Sequence, residues 1–385
     1  MSTGGDRDRA AAVREDPDVT APWEPVSATA PTAVSASTRR PSLDDESFAL
    51  VLGAFVFVGV ALVAVFVFWG RELPIDGRGS LGEFTAIAGG IAAAVCFALS
   101  RLLPRRAPDP RTDPDAARYR WFDLIALSAA HGAIALLGWI GVATILDHSL
   151  VGATVFASPA VVLTAAAAAL SGYLSFLSGA NLSPRHLSLV LAVFLVVGIV
   201  SAMLSAADPQ WWQMNLSALG MTHDISSLTF NLTLIVSGVI VTTIARFGTA
   251  SLPAVTPADR RRRALVRTVF VLLGVLLACV GIFPVDRFFL IHNTVATGMA
   301  VAYAIMVIGL PWLIPTMPKV FLALGFTYVG AIIVLALLFA TGIYNLTAVE
   351  LIGALLIFSW LILFLRNVQT IGRVRASAHP ELSAS

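Results

Sequence analysis

Side chains that could do chemistry are concentrated in two polar stretches of a chain that is otherwise strongly apolar. The first, DPQWWQMNLSALGMTHDISSLTFN, covers residues 208–231, and the second, GIFPVDRFFLIHN, covers residues 281–293. If the elements that carry these stretches place them at one level of the fold, their polar side chains can converge on a single pocket. The candidate ligand-binding residues are Asp208, Asn215, Ser217, His223, Asn231, Asp286 and His292.

Two kinds of catalysis are compatible with these residue types. His148, His223 and His292, together with an aspartate, could hold Zn²⁺ and activate water for hydrolysis. A Ser217, His223, Asp286 triad could support nucleophilic attack. The spacing supports neither, because the histidines occur singly, no His-x-x-x-His is present, and Ser217 lacks a small-x-Ser-x-small elbow. We therefore expect a non-enzymatic site without a metal, and keep a metal-dependent membrane hydrolase as an alternative.

Ten long apolar runs are the elements that must position these side chains. Of the 385 residues, 57% are hydrophobic and 12% are charged, and the mean hydropathy is +0.85. Runs of about 20 apolar residues, enough to cross roughly 30 Å of hydrocarbon as a helix, recur without the alternation of barrel strands. The sequence therefore predicts an all-α polytopic transmembrane helix bundle of about ten helices, at 48–69, 84–103, 122–146, 159–178, 187–206, 229–246, 266–283, 292–310, 320–341 and 348–365.

The basic residues predict how these helices are oriented, because Lys and Arg are retained on the cytoplasmic side of a membrane. With both termini placed in the cytoplasm, only Arg71, Arg78 and Arg287 of the 25 basic residues fall on the opposite side. We therefore expect a multi-pass protein of the inner (plasma) membrane. Lys319 is the only lysine and alanine is abundant, a composition that indicates a bacterial source.

Four regions follow from the same pattern. Residues 1–46 are rich in Ala, Thr, Ser and Pro and predict a disordered cytoplasmic tail. Residues 47–180 form a four-helix region, and residues 181–366 form a six-helix region with outer polar loops. Residues 367–385 form a second cytoplasmic tail.

Several residues are expected to contact the membrane surface. Trp211 and Trp212 belong at the headgroup level, where an indole has one apolar and one wet side. Met214, Leu216 and Leu219 are predicted to form the apolar side of a short interfacial helix. The run Arg260, Arg261, Arg262 and Arg263 is expected to lie just before the seventh helix and to contact anionic lipid headgroups.

The motifs DPQWWQMNLSALG, FN, GIFPVD and a helix that opens with HN resemble a bacterial membrane family of unknown function with about six helices. That family is similar in turn to the eukaryotic suppressor-of-four-kinase and damage-regulated autophagy modulator proteins. The resemblance covers about residues 187–365. It implies an outer polar cluster at Asn215, Ser217, Asn231, Asp286 and His292, connected with lipid organisation. The first four helices depart from the family's pattern.

We expect this chain to bind or organise a lipid or lipid-linked molecule at the outer leaflet. Its partners would be membrane lipids and a possible membrane protein; nucleic-acid binding is not expected, because no folded domain surrounds the arginine-rich loops. No cofactor is expected, since the chain has no nucleotide-binding glycine signature. A coupled transporter normally carries ionisable groups near the membrane midplane. Here only His131 is a candidate, and it is expected to bond to a neighbouring helix, so transport stays a further alternative.

Overall fold

The computed structural model describes residues 43–103, 114–221, 224–250, 252 and 256–378. Ten α-helices account for most of these residues, and each is long and apolar enough to cross a membrane. Within the described ranges the structure confirms an all-α bundle of ten helices, as expected of a multi-pass membrane protein. The helices are α1 (Leu43–Phe68), α2 (Leu81–Leu102), α3 (Pro114–Ser149), α4 (Ala157–Ala180), α5 (Pro184–Leu204), α6 (Ile225–Ala250), α7 (Pro257–Ile282), α8 (Phe289–Leu313), α9 (Lys319–Ala340) and α10 (Leu346–Ala378).

The connections α1–α2, α3–α4, α5–α6, α7–α8 and α9–α10 share one side of the bundle if every helix crosses the membrane. We call it the outer side, as the basic residues predict. Two short strands that the sequence did not reveal join the first two of these connections: β1 (Glu72–Pro74) and β2 (Thr154–Phe156). They pair antiparallel, with Leu73 opposite Val155.

Several helices extend beyond the apolar runs that predicted them. α7 begins at Pro257 instead of 266, so the arginine run lies on the helix and not before it. Thr256 and Asp259 form a capping box around this start, and Pro257 occupies a first-turn position. α10 likewise continues to Ala378, past the expected end at 365. Hydropathy marks the stretch in hydrocarbon, whereas the hydrogen-bonded helix continues into the polar boundary.

Small residues bring the first four helices close together. A Cβ on Gly132 of α3 would lie 3.0 Å from the carbonyl oxygen of Gly90 on α2, so the two backbones nearly touch. A Cβ on Gly172 of α4 would lie 2.9 Å from Cys96 Sγ on α2. Close approach through glycine lets helices in a membrane gain van der Waals contact that larger side chains would prevent.

One hydrophobic core runs from α2 and α3 through the later helices. Trp360 of α10 is fully buried there, and its ring packs against Tyr303, Phe321 and Phe364. α3 also contacts α5 and α6. At the end of that contact opposite the outer side, Arg246 Nη1 lies 3.4 Å from Asp123 Oδ1, an ion pair between α6 and α3.

α6 and α7 make the closest contact among the last six helices, through a pair of glycines. A Cβ on Gly274 of α7 would lie 2.6 Å from the carbonyl oxygen of Gly238 and 2.9 Å from the amide nitrogen of Thr242, both on α6. These are backbone atoms, which cannot rotate away as a flexible side chain could. The two helices therefore have no room for a side chain at Gly274.

We predict that Gly274→Leu destabilises the bundle, because overpacking would force α6 and α7 apart at a cost of roughly 1–3 kcal/mol or more. The measurement is the thermal unfolding midpoint in detergent, followed by intrinsic fluorescence. Gly330→Leu on α9 is the matched control, since nothing lies within 4 Å of a Cβ there. Equal midpoints for the two variants would contradict the close packing.

Candidate functional site

Residues 205–221 of the α5–α6 connection fold back into the bundle. They contain two short 3₁₀ helices, Trp211–Gln213 and Leu216–Gly220. In the second, Leu216 and Leu219 are 6% and 2% exposed, so they pack into the protein core and not onto a lipid surface. Met214 lies outside this helix and is 49% exposed, so it does not share one side with Leu216 and Leu219 as the sequence predicted. We call Leu216–Gly220 the buried turn.

The buried turn contacts α8 through a serine–histidine pair. His292 Nε2 lies 3.1 Å from Ser217 Oγ, and His292 Nδ1 lies 2.8 Å from the carbonyl oxygen of Phe283. Because a carbonyl only accepts, Nδ1 carries a proton, and in the neutral imidazole Nε2 accepts from the Ser217 hydroxyl. Both side chains are buried. The sequence placed these two residues in one cluster, and in the structure they are in direct contact.

The start of α10 holds the buried turn from the other direction. The amide of Leu216 donates to Glu350 Oε2 at 2.6 Å, and the amide of Ser217 faces the same carboxylate. Sequence analysis missed Glu350, although a carboxylate next to a long apolar run is an unusual feature that marks a buried partner. Two α10 neighbours were also missed: Asn345 Nδ2 and Thr347 Oγ1 both donate to the carbonyl oxygen of Trp212, at 3.0 and 2.7 Å.

Asparagines contribute a further contact and one unsatisfied group. Asn231 Nδ2 of α6 donates to the carbonyl oxygen of Gly220 at 3.1 Å. A Cβ on Gly220 would lie 2.6 Å from Asn231 Oδ1, so this position has little room for a larger residue. Asn215 Oδ1 is buried and has no hydrogen-bond partner within the described residues. Asn231 therefore bonds to the last residue of the buried turn. Asn215 lies directly before the turn, and its side-chain oxygen accepts no hydrogen bond from the described residues.

A small pocket of about 70 Å³ lies beside the buried turn. Asp208, Asp224 and Trp211 are among its lining residues. Asp208 Oδ1 accepts from the Gln210 amide at 2.8 Å, and Asp224 Oδ1 accepts from the Ser227 amide at 2.9 Å at the start of α6. Both carboxylates therefore stabilise local backbone as well as face the pocket.

The remaining candidates differ in exposure. Asp286 is exposed, and its carboxylate lies 3.9 Å from the charged group of its neighbour Arg287. Trp212 is 50% exposed, whereas Trp211 is partly buried against the core. His223 lies outside the described residues. The ligand-binding role of the outer residues stays a prediction.

The serine–histidine pair has the hydrogen bond of a nucleophile and its base, and both side chains are buried. Neither Ser217 nor His292 lines the adjacent pocket. The amides of Leu216 and Ser217, the nearest candidates for stabilising an oxyanion, point to the Glu350 carboxylate. The pair therefore holds backbone in this structure. Among the described residues, no group of three or more His, Cys, Asp or Glu side chains could hold a metal ion.

The arginine run lies on the first turns of α7 and faces more than one direction. Arg260, Arg261 and Arg262 are exposed, and Arg262 lies 4.0 Å from Asp259. Arg263 is only partly exposed. The four arginines therefore differ in exposure, although the sequence predicted the same headgroup contact for all four.

An apolar groove of about 620 Å³ lies between α3, α4 and α5, and we call it the α3–α5 groove. Its lining includes Leu174, Leu189 and Ile145, which are each more than half exposed. On α5 it runs from Leu189 to Leu204, a length of about 22 Å at 1.5 Å per residue. The groove thus opens to the surrounding membrane and extends along most of its hydrocarbon thickness.

Polar side chains of α3 and α4 bond to each other along this groove. His131 Nε2 lies 2.9 Å from Ser178 Oγ, which confirms the expected bond from His131 to a neighbouring helix. Nearer the outer side, Trp139 Nε1 donates to Ser171 Oγ at 2.9 Å. A second cavity of about 290 Å³ between α2, α3 and α4 shares Trp139 with the groove.

Comparisons of the chain with family models, with curated proteins and with solved structures each find no match. The resemblance of residues 187–365 to the six-helix family therefore stays an expectation. The fold and the groove are the basis for inferring function.

We predict that Glu350→Ala loosens the buried turn, because two buried amides lose their acceptor at a cost of roughly 1–3 kcal/mol each. Hydrogen–deuterium exchange of peptides within residues 207–221 should become faster in detergent. Asp286→Ala is the matched control, since it removes another outer carboxylate that is exposed. Unchanged exchange in Glu350→Ala would mean that Glu350 does not hold the turn.

Proposed function

We propose that this chain binds a lipid or lipid-linked molecule within the membrane, with an apolar chain of the ligand in the α3–α5 groove. The observation that carries the proposal is the groove itself: about 620 Å³ of apolar space open to the bilayer. This volume lies in the range of small-molecule sites, which are mostly apolar with a few polar groups. We place the protein in the plasma membrane of a bacterium, with membrane lipids as its partners.

The outer end of the groove lies close in sequence to the small outer pocket. Leu204 lines the groove, and two residues later Ala206 lines the pocket. A lipid of the outer leaflet with its chain in the groove would bring its headgroup towards Asp208 and Trp211. This arrangement gives the outer candidates a role at a headgroup, while Ser217, His292 and Asn231 hold the backbone beside it.

The groove belongs mainly to the first four helices, which the family resemblance does not cover. α3 and α4 supply most of its polar side chains, and α5 supplies one wall. The lipid connection implied for residues 187–365 would therefore need the preceding region as well. We propose that the two regions act together on one lipid.

Filling the groove is the direct test. A Cβ on Gly138 would have Val197 Cγ1 as its nearest neighbour, at 3.9 Å, so a larger side chain there enters open space. We predict that Gly138→Leu reduces the amount of lipid that copurifies with the protein, because the leucine occupies the path of the chain. Native mass spectrometry with lipid identification measures the retained lipid.

Gly330→Leu on α9 is the control, because it adds the same side chain at an exposed helical position with nothing within 4 Å of its Cβ. Retention should be unchanged in that variant. If Gly138→Leu and the wild type retain the same lipid in the same amount, the groove holds no specific ligand and the proposal fails.

Movement of lipid between leaflets is a second candidate, favoured by the length of the groove. One leaflet is about half of the roughly 30 Å hydrocarbon thickness, whereas the groove extends about 22 Å along α5. We predict that the protein in vesicles accelerates the exchange of a fluorescent phospholipid across the bilayer, and that Gly138→Leu slows it. Exchange no faster than in protein-free vesicles would leave lipid binding as the function.

A further inference from the structure

One side of α7 is a stripe of buried residues that pack against neighbouring helices. Two arginines lie at the cytoplasmic end of this stripe. Gly274 and Phe270 lie on this stripe, and Phe270 stacks on Phe364 of α10 with ring centroids 4.6 Å apart. At helical spacing the next positions are Arg267 and Arg263. Both are partly exposed, in contrast to the exposed Arg260 and Arg261 one turn earlier.

Their contacts leave hydrogen-bonding capacity unused. Arg267 Nε donates to Thr249 Oγ1 of α6 at 3.3 Å, and Thr249 is itself buried. Arg263 Nε is buried and has no hydrogen-bond partner within the described part of the chain. A guanidinium presents five N–H donors, and the buried Nε–H of Arg263 is one that an anion could accept from.

Nearby carboxylates contact other arginines. Asp123 pairs with Arg246 at 3.4 Å. Asp259 lies 4.0 Å from Arg262 and accepts from the backbone amide of Thr256 in the capping box.

The peptide dipoles of α6 offset the positive charge of Arg263 and Arg267 only in part. The C-terminal end of α6, next to Thr249, carries roughly half a negative charge. Arg263 and Arg267 together carry two positive charges one helical turn apart. Partly buried like charges repel each other, and a buried guanidinium nitrogen without a hydrogen-bond partner, such as Arg263 Nε, is costly. An anion between them would remove both costs.

We propose that Arg263, Arg267 and Thr249 form a binding site for a phosphate-type anion at the cytoplasmic boundary of the membrane. The two guanidinium groups suit phosphate oxygens, because arginine binds them with charge-assisted and often bidentate hydrogen bonds. The anion can be the phosphate of an inner-leaflet phospholipid or a soluble phosphate. This site is separate from the α3–α5 groove and does not depend on the function proposed for the groove.

The position of the arginines on α7 provides a matched test. Arg263→Gln/Arg267→Gln removes two positive charges from the proposed site. Arg260→Gln/Arg261→Gln removes two positive charges from the exposed side of the same helix. Any contribution of the groove or of general surface charge is common to both variants.

The full chain in mild detergent is titrated with phosphatidylglycerol, and the bound lipid is counted by native mass spectrometry. We expect Arg263→Gln/Arg267→Gln to lower the affinity by roughly tenfold or more, which corresponds to about 1.4 kcal/mol. Arg260→Gln/Arg261→Gln should lower the affinity by a clearly smaller factor, because these exposed arginines supply only general attraction to the anionic headgroup. Equal losses in the two variants would mean general electrostatic attraction and would overturn the proposal, as would no loss in either.

Competition with inorganic phosphate distinguishes the two sources of the anion. Displacement of phosphatidylglycerol by phosphate would support a site open to soluble anions, and lack of displacement would support a site for a lipid headgroup. If Arg263→Gln/Arg267→Gln does not fold, Thr249→Val provides the second variant, because it keeps both charges and removes the hydroxyl that orients Arg267. Wild-type binding in Thr249→Val would exclude the threonine from the site, and the proposal as stated would be wrong.

Discussion

Five residues without α-helical backbone, Leu216–Gly220, lie inside a bundle of membrane helices, and their amide and carbonyl groups need partners there. In surroundings without water, an unsatisfied backbone group costs several kcal/mol, so irregular backbone is tolerated only where protein groups satisfy it. Glu350, His292 and Asn231 contact this turn. They belong to α10, α8 and α6, so one buried turn connects the outer ends of three helices.

The groove is a consequence of which helices pack together. α4 packs on α1 and α2, whereas α5 packs on α3 and α6. The space between α4 and α5 is bordered by α3, whose His131 and Trp139 reach α4 through side-chain hydrogen bonds. Glycine pairs such as Gly90 and Gly132 bring α2 and α3 to near backbone contact. α3 thus packs closely against α2 through these glycines and also borders the open α3–α5 groove.

Hydropathy was sufficient to predict the ten helices, because a span of hydrocarbon requires a run of apolar residues of defined length. It could not predict which helices are neighbours. The contact between Glu350 and Leu216 joins positions 134 residues apart, and no local pattern in the chain encodes that pairing. The groove could not be predicted for the same reason, because it forms between particular helices and the sequence does not show which helices are neighbours.

Local signals explain the remaining successes and failures at the candidate site. His131, as an isolated imidazole in an apolar run, was correctly expected to bond to a neighbouring helix. The start of α7 at Pro257 was missed although Thr256 and Asp259 have the spacing of a capping box. Asp286 was grouped with His292 because both belong to the polar stretch 281–293, yet their side chains differ in exposure. Proximity in sequence does not determine the direction of a side chain.

Trp139 lies where the larger cavity meets the smaller one. Its indole lines both, and it is held by a hydrogen bond to Ser171 and by packing over Gly89, where a Cβ would lie 2.9 Å from the ring. Val142 and Leu170 line both cavities as well, so these three side chains form the boundary between the two spaces. A hydrocarbon chain in the larger cavity would therefore meet an indole that is held in place by α2 and α4.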